Sequence, residues 1–157
     1  SMARTAAEQA EFEKSLTEIF EKHITFNQVL GLSVKQLRSE QTQIQFDMRK
    51  ELIGHFAYGR LHGGVISAVL DATGGCAVMV GLAEKHPEES ASQVIERFSR
   101  VGTIDLRIDY LRQGIGTCFI ATAKVTRIGA RIASTQMELH NQEGTLISTG
   151  AASYIVS

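Results

Sequence analysis

A single carboxylate lies within an otherwise apolar segment of this sequence, and its position suggests chemistry. The segment runs from Leu61 to Gly75, and Asp71 is the one acidic residue in it. Moving an ionised side chain out of water is costly unless the charge is paired or hydrogen-bonded. Asp71 is therefore predicted either to have a structural partner, such as a backbone amide or an arginine, or to act as a base or nucleophile.

Two glycines, Gly63 and Gly64, follow His62 at the start of this segment and predict a site that polarises a carbonyl. Because glycine has no Cβ, the backbone N–H of Gly64, or of Gly63, can approach a substrate oxygen at the positive end of a helix. The simpler interpretation is a tight turn from a loop into a helix. Combined with the Asp71 carboxylate, a carbonyl polariser would suit the hydrolysis of a compound such as a thioester.

Length and composition predict one domain covering residues 1–157. The chain has 157 residues, 43% of them hydrophobic, which is enough for one full core. The formal net charge of -1 gives no general attraction to nucleic acid or to an anionic membrane. Ser1 before Met2 is typical of an expression scar, and the segment after it lacks the layout of a signal peptide. We therefore expect a cytoplasmic protein.

Neither the cysteines nor the long apolar segment changes this expectation. Cys76 and Cys118 suit buried thiols better than a disulfide framework or a metal site, so no metal or other cofactor is expected. The segment from Gly63 to Ala83 is long enough to be mistaken for a membrane span. The central Asp71 and the many Gly and Ala residues favour a buried core helix instead.

The first hundred residues predict mainly helices. Residues 1–25 carry an N-terminal helix from Thr5 to His23, in which Thr5 can cap the helix and Glu8 is placed for a capping box. A short helix at 26–30 is stopped by Gly31. The other predicted elements are strands near 32–34 and 44–48, an ordered loop at 50–61, the central helix at 63–84 and a short helix at 92–98.

From Gly102 onward the sequence predicts only strands. Along the first strand, polar residues such as Thr103 alternate with apolar ones, so one face is predicted to consist of Ile104, Leu106, Ile108 and Tyr110. Three further strands are predicted at 117–127, 131–140 and 145–156. Together these elements predict an α+β fold in which a curved antiparallel sheet wraps around a long central helix.

These features resemble the hotdog-fold acyl-CoA thioesterases of the phenylacetate-pathway (PaaI) type, and among them the YigI-like group. The resemblance rests on the order of elements, the turn His62-Gly63-Gly64, the spacing from His62 to Asp71 and the strand from Gly102 to Arg112. It covers the chain from about Phe26 to the end. It implies hydrolysis of medium- to long-chain acyl-CoA by a homodimer or dimer of dimers, with the sites at the subunit interface.

The resemblance also implies roles for individual residues. Asp71 is then the catalytic carboxylate, as base or nucleophile, and Gly64 or Gly63 polarises the carbonyl. Thr103 is expected to help orient the attacking water through its hydroxyl. His62 is expected to fix the shape of the glycine turn by a hydrogen bond rather than to transfer protons.

The sequence also suggests residues that bind substrate. The family often carries an asparagine where this chain has Phe56, and the adjacent His55 is the candidate to replace that donor. Arginines form forked hydrogen bonds to phosphate, and the candidates for coenzyme A are Arg60, Arg112, Arg127 and Arg131. Candidates for an acyl tunnel are Phe56, Tyr58, Val65, Val69 and Met79, although all of them also suit a core.

Two other functions are compatible with the same fold. A non-catalytic domain that binds or senses acyl thioesters would keep the glycine turn, but it would not need Asp71. A hotdog dehydratase or hydratase would need a histidine paired with a carboxylate, and no histidine follows Asp71 before His86. The sequence therefore favours the thioesterase.

Overall fold

A computed structural model describes residues 3–157, and the expectation for Ser1 lies outside this range. The α-helices are α1 (Ala6–Glu18), α2 (Thr25–Leu30), α3 (Gly63–Lys85) and α4 (Ala91–Glu96). The strands are β1 (Ser33–Gln36), β2 (Thr42–Asp47), β3 (Ile53–His55), β4 (Arg60–Leu61), β5 (Gly102–Tyr110), β6 (Cys118–Ile128), β7 (Ile132–Asn141) and β8 (Leu146–Ile155). A π-helical turn (Ile19–His23) continues α1, and 3-10 turns cover Lys50–Leu52 and Arg97–Arg100.

Six strands form one antiparallel sheet in the order β1-β2-β6-β7-β8-β5. The order places β5 at an edge of the sheet, next to β8. This arrangement confirms the predicted α+β architecture. Residues 50–61, predicted as a loop, instead contain a small hairpin of β3 and β4 in which Ile53 pairs with Leu61. Strands of three and two residues are too short to produce a recognisable alternation of apolar residues.

Helix α3 is the core helix of the domain. Every residue from Thr73 to Ala83 is buried, and the sheet strands β2, β5, β6, β7 and β8 all contact this helix. By length and composition α3 could cross a membrane, but 72% of its apolar stretch is buried inside the protein. Burial on all sides of this stretch explains why it is apolar all round, as expected for a core helix.

The N-terminal helix is present as predicted, with two differences. Thr5 caps α1 by accepting a hydrogen bond from the Glu8 N–H at 3.1 Å. The Glu8 carboxylate does not close a capping box, because it accepts the Ala91 N–H at 2.6 Å and so joins α1 to α4. The helix is α-helical only to Glu18 and widens into the π-helical turn beyond it.

A bulge in β5 changes which side chains face the core. Thr103 pairs with Tyr154, whereas Asp105 pairs with Ser153, so Ile104 is an extra residue on β5. An extra residue reverses the alternation of side chains along a strand. The predicted placement of Thr103 on the face opposite the apolar residues is therefore wrong, and Ile104 is 51% exposed.

Both cysteines are free thiols. Cys76 is buried in α3, whereas Cys118 at the start of β6 is half-buried. Burial raises the pKa of the Cys76 thiol far above its usual range, so this thiol stays protonated and unreactive. The prediction of a buried thiol is confirmed for Cys76 and holds in part for Cys118.

Arg4 closes the C-terminal end of α3. Its guanidinium donates hydrogen bonds to the carbonyl oxygens of Ala83 at 2.8 Å, His86 at 3.2 Å and Glu89 at 2.8 Å. The last carbonyls of a helix lack partners within the helix and carry partial negative charge. One cation therefore satisfies several acceptors and fixes the N-terminal segment against the core helix.

Arg4→Ala is expected to lower the free energy of unfolding by about 1–3 kcal/mol, because partly buried carbonyls lose their charged donor. Urea denaturation followed by circular dichroism measures the change. The matched control is Arg38→Ala, because Arg38 is exposed and pairs with exposed Glu40. This control should change the value by no more than about 0.5 kcal/mol. Equal effects of the two substitutions would contradict the capping role.

Candidate active site

Asp71 lies in the wall of an open cavity, where two hydroxyl groups reach it. The Thr103 hydroxyl donates to Asp71 Oδ1 at 2.8 Å. The Tyr154 hydroxyl lies 2.8 Å from the Asp71 carbonyl oxygen and 3.2 Å from Oδ1. The carboxylate is half-buried, and its Oδ2 accepts no hydrogen bond within residues 3–157. One carboxylate oxygen is therefore held in place, and the other is available to a substrate or to water.

Tyr154 is the residue of this site that the sequence reasoning missed. Its side chain is 2% exposed, and burial, reinforced by the neighbouring Asp71 carboxylate, raises its pKa far above the usual range. The phenol therefore stays protonated and remains a donor to Asp71. A Cβ on Gly74 would lie 2.3 Å from the Tyr154 hydroxyl oxygen, so this contact requires glycine. The sequence feature that could have indicated this role is a tyrosine within a predicted strand, because a buried tyrosine hydroxyl needs a polar partner.

The start of α3 is capped by a histidine. His62 Nδ1 accepts the Gly64 N–H at 2.7 Å, as expected for a residue that fixes the shape of the turn. The Gly64 N–H is therefore already used, which disfavours it as the carbonyl polariser. The Gly63 N–H has no acceptor within residues 3–157, and the Gly63 carbonyl accepts the Tyr110 hydroxyl at 2.9 Å. Of the two glycines, Gly63 has the available donor.

Gly63 and Asp71 are too far apart to act on one carbonyl group within a single chain. They are separated by eight residues of α3, which is about 12 Å at 1.5 Å per residue. They also lie beside opposite ends of β5, where Thr103 contacts Asp71 and Tyr110 contacts Gly63. We call the two places the carboxylate half-site (Asp71, Thr103 and Tyr154) and the glycine half-site (His62, Gly63 and Tyr110).

The cavity at the carboxylate half-site has a volume of about 250 Å³ and is mostly apolar. It lies between α3, the start of β5 and the segment that follows α1. The lining residues that do not belong to the half-site are Phe20, Ile24, Phe26, Asn27, Ala68, Ala72, Gly75, Phe98, Val101 and Gly102. An apolar cavity with a carboxylate in its wall suits a ligand that carries a hydrocarbon group next to a reactive polar group.

A second cavity, a groove of about 440 Å³, lies at the glycine half-site. Two of the predicted arginines, Arg60 and Arg112, line it together with Gly63 and Tyr110. The Arg112 guanidinium donates to the Leu146 carbonyl oxygen at 2.9 Å, which fixes its position. The structure thus brings a free backbone donor and two cations together, as a phosphate-bearing ligand requires.

The predicted donor His55 lies in the β3–β4 hairpin. Its Nδ1 accepts the Ala57 N–H at 3.2 Å, and its ring packs against Phe56 and Tyr58 with centroid distances of 5.4 and 4.7 Å. Phe56 is 94% exposed at the tip. The hairpin places neither His55 nor Phe56 in the two cavities, so their substrate-binding roles remain predictions.

The other predicted binding residues lie outside both half-sites. Val69 and Met79 are fully buried in the core, and Tyr58 and Val65 do not line the cavity at Asp71. The interpretation of these apolar residues as core holds for Val69 and Met79. Arg127 and Arg131 are exposed near the turn between β6 and β7, and the Arg131 carbonyl accepts the Val156 N–H. The role of Arg131 in substrate binding remains a prediction.

One cluster of possible metal ligands occurs within residues 3–157, and it consists of His86, Glu88 and Glu89. It follows the C-terminus of α3, fifteen residues or about 22 Å of helix rise beyond Asp71. Both Glu89 carboxylate oxygens accept hydrogen bonds from Arg97, which holds the pKa of that carboxyl below its usual range. Glu89 is therefore explained as the partner of an arginine.

An antiparallel sheet packed against a long central helix is the architecture of the hotdog class of proteins. The chain belongs to the thioesterase superfamily, whose family model matches residues 58–148. It is a thioester hydrolase. The resemblance inferred from the residues and the predicted fold are both confirmed.

Individual relatives agree with this assignment. The medium/long-chain acyl-CoA thioesterase YigI of Escherichia coli K12 is 39% identical over 143 residues, which cover 91% of this chain and 92% of that protein. The YigI protein of Salmonella typhimurium is 38% identical over the same shares of the two chains. A crystal structure of a thioesterase-superfamily protein from Shewanella oneidensis has a TM-score of 0.89 and 39% identity, covering 95% of this chain and 97% of that one.

Thr103→Val is expected to lower kcat for thioester hydrolysis by roughly 10- to 100-fold, because a hydrogen bond to a charged group is lost. Thr103→Ser keeps the hydroxyl and should retain most of the activity. Release of free thiol from acyl-CoA gives kcat and KM. Thr126→Val on β6 is the control, because that exposed hydroxyl donates to the Ser134 carbonyl and lies in neither half-site. An unchanged kcat in Thr103→Val would contradict the positioning of Asp71 by Thr103.

Proposed function

We propose that the protein hydrolyses the thioester of medium- to long-chain fatty acyl-CoA, with Asp71 as the catalytic carboxylate. The observation that carries this proposal is the open Asp71 Oδ2 in the wall of an apolar cavity, while Oδ1 accepts the Thr103 hydroxyl and lies 3.2 Å from the Tyr154 hydroxyl. Such a carboxylate can deprotonate water or attack the carbonyl carbon directly. The similarity to the YigI thioesterases supports acyl-CoA as the substrate class.

Each active site is proposed to combine half-sites from two chains. Within the described residues, β5 pairs with β8 on one side and has no strand partner on the other. Ile104 and Tyr110 on this edge strand are 51% and 55% exposed. A long edge strand with exposed apolar residues is suited to pairing with another strand. A second copy of the chain, related by a two-fold axis, would complete the sheet.

Antiparallel pairing of two β5 strands brings different half-sites together. The carboxylate half-site lies at the Thr103 end of β5 and the glycine half-site at the Tyr110 end. If Thr103 of each chain lies opposite Tyr110 of the other, each carboxylate half-site faces the glycine half-site of the other chain. The two composite sites formed in this way are equivalent. The Gly63 N–H of one chain then polarises the carbonyl of the substrate. The Asp71 carboxylate of the other chain attacks that carbonyl or activates the attacking water. A homodimer, or a dimer of such dimers, is therefore the proposed assembly.

The two cavities fit the two ends of the substrate. The groove with Arg60 and Arg112 at the glycine half-site would hold the phosphates of coenzyme A. The apolar cavity at the carboxylate half-site would hold the acyl chain. We propose that the reaction needs no metal or further cofactor and takes place in the cytoplasm. The unreactive Cys76 thiol is compatible with the reducing conditions there.

Asp71→Asn is expected to lower kcat by about 10²- to 10⁴-fold, because the amide cannot act as a base and is a poor nucleophile. Thiol release is measured over a ladder of acyl-CoA lengths in the presence of a chelator, which should leave the wild-type rate unchanged. Asp47→Asn on β2 is the control, because Asp47 is exposed and lies in neither half-site. Retention of most activity by Asp71→Asn would refute the proposed mechanism. If wild type binds several acyl-CoA esters and hydrolyses none, the sensing function is correct.

Complementation tests the two-chain site. Asp71→Asn and His62→Ala chains, each first shown to be folded and inactive alone, are refolded together with different affinity tags, and the mixed dimers are purified. One composite site then carries both changes and the other carries neither, so activity should return to about half of the wild-type value per dimer. Dimers of Asp71→Asn chains carrying the two tags are the control. Absence of recovery, or a monomer by light scattering, would contradict the proposal.

A further inference from the structure

Three glycines in the interior of α3 lie at positions 74, 75 and 81. Glycine lowers the stability of a helix interior, so each of them calls for a reason. A Cβ on Gly74 would lie 2.3 Å from the Tyr154 hydroxyl oxygen, and one on Gly81 would lie 2.5 Å from Ile128 Cδ1. At these two positions an added side chain would therefore meet another part of the chain, a ring hydroxyl at Gly74 and the end of an isoleucine side chain at Gly81.

Gly75 has no such explanation. A Cβ there would lie 3.7 Å from Tyr154 Cε1 and 4.0 Å from Phe20 Cζ, which are ordinary van der Waals distances. The chain itself would accept alanine at this position. Gly75 follows Asp71 by four residues, so both lie on the same face of α3, and both line the apolar cavity. The missing side chain enlarges the cavity beside the catalytic carboxylate.

The walls of the cavity differ in chemistry. The α3 side consists of the small residues Ala68, Ala72 and Gly75, whereas the opposite side carries phenylalanines. Phe20 and Phe98 meet edge to face with centroids 5.5 Å apart, and Phe20 is only 2% exposed. An aromatic pair packed in this way forms a firm wall facing Gly75.

We propose that Gly75 and Phe20 together set the length of acyl chain that the enzyme accepts; this inference rests on the proposed function. An alkyl chain attached to a carbonyl at Asp71 passes over Ala72 and Gly75 and ends against Phe20. The side chain of Phe20 therefore limits the depth of the cavity, and with it the length of acyl chain that fits beside Asp71.

Substitutions that narrow or deepen the cavity test this proposal. Gly75→Ala and Gly75→Val narrow it, and each excluded methylene should lower the decanoyl-to-butyryl ratio of kcat/KM by roughly fourfold. We expect about fourfold for alanine and at least tenfold for valine. Phe20→Leu deepens the cavity and should move the optimum toward longer chains.

Phe12→Leu is the matched control, because Phe12 is as buried as Phe20 but does not line the cavity. It should lower the melting temperature without changing the order of preference among chain lengths. Melting curves of all variants establish that they fold. Equal losses at every chain length in both Gly75 variants, or an unaltered length profile in Gly75→Ala and Phe20→Leu, would overturn the proposal.

Binding measurements separate this inference from the proposed function. The dissociation constants of butyryl-CoA and decanoyl-CoA are measured by calorimetry for wild type and Gly75→Ala. If wild type hydrolyses neither ester, the proposed function fails, and the ratio of dissociation constants still tests the role of Gly75. A ratio that is the same in both proteins would then refute it.

Discussion

The site depends on how one carboxylate is held in the middle of an apolar helix. Asp71 would be costly to place there without donors; the Thr103 hydroxyl donates to Oδ1, and the Tyr154 hydroxyl of the neighbouring strand lies between Oδ1 and the Asp71 carbonyl oxygen. Two local features make this possible. The bulge at Ile104 turns Thr103 toward the helix, and the absence of a side chain at Gly74 admits the Tyr154 hydroxyl. The register of β5 and the packing of α3 against β8 therefore both serve to place hydroxyl groups beside the Asp71 carboxylate.

The geometry of α3 separates the parts of the site, and the sheet offers a way to reunite them. About 12 Å of helix rise lies between Gly63 and Asp71, so one chain presents two half-sites at opposite ends of β5. When β5 pairs antiparallel with β5 of a second chain, the Thr103 end of one strand lies beside the Tyr110 end of the other. If the active site is assembled in this proposed way, a change that prevents strand pairing would abolish catalysis as well.

The N-terminal segment contacts both the core helix and the cavity at Asp71. It lies outside residues 58–148, which match the family model. Arg4 donates to the carbonyl of Ala83 in α3 and to two carbonyls just beyond the helix, while Phe20 and Ile24 line the cavity next to Asp71. The region that matches the family model thus contains the carboxylate and the glycine turn, and the N-terminal segment supplies part of the cavity wall that would define the acyl chain.

The sequence by itself determined the elements and the main chemical groups, because these depend on local patterns. The long apolar helix, the capped N-terminal helix, the alternating strands and the unusual position of Asp71 can all be read within short windows of sequence. Only the tertiary structure decided which groups meet. Tyr154 is 83 residues from Asp71, the bulge at Ile104 overrides a simple alternation, and the Gly64 N–H is occupied by a hydrogen bond to His62. The physical reason is that strand register and side-chain contacts join distant residues, and no local pattern records such contacts.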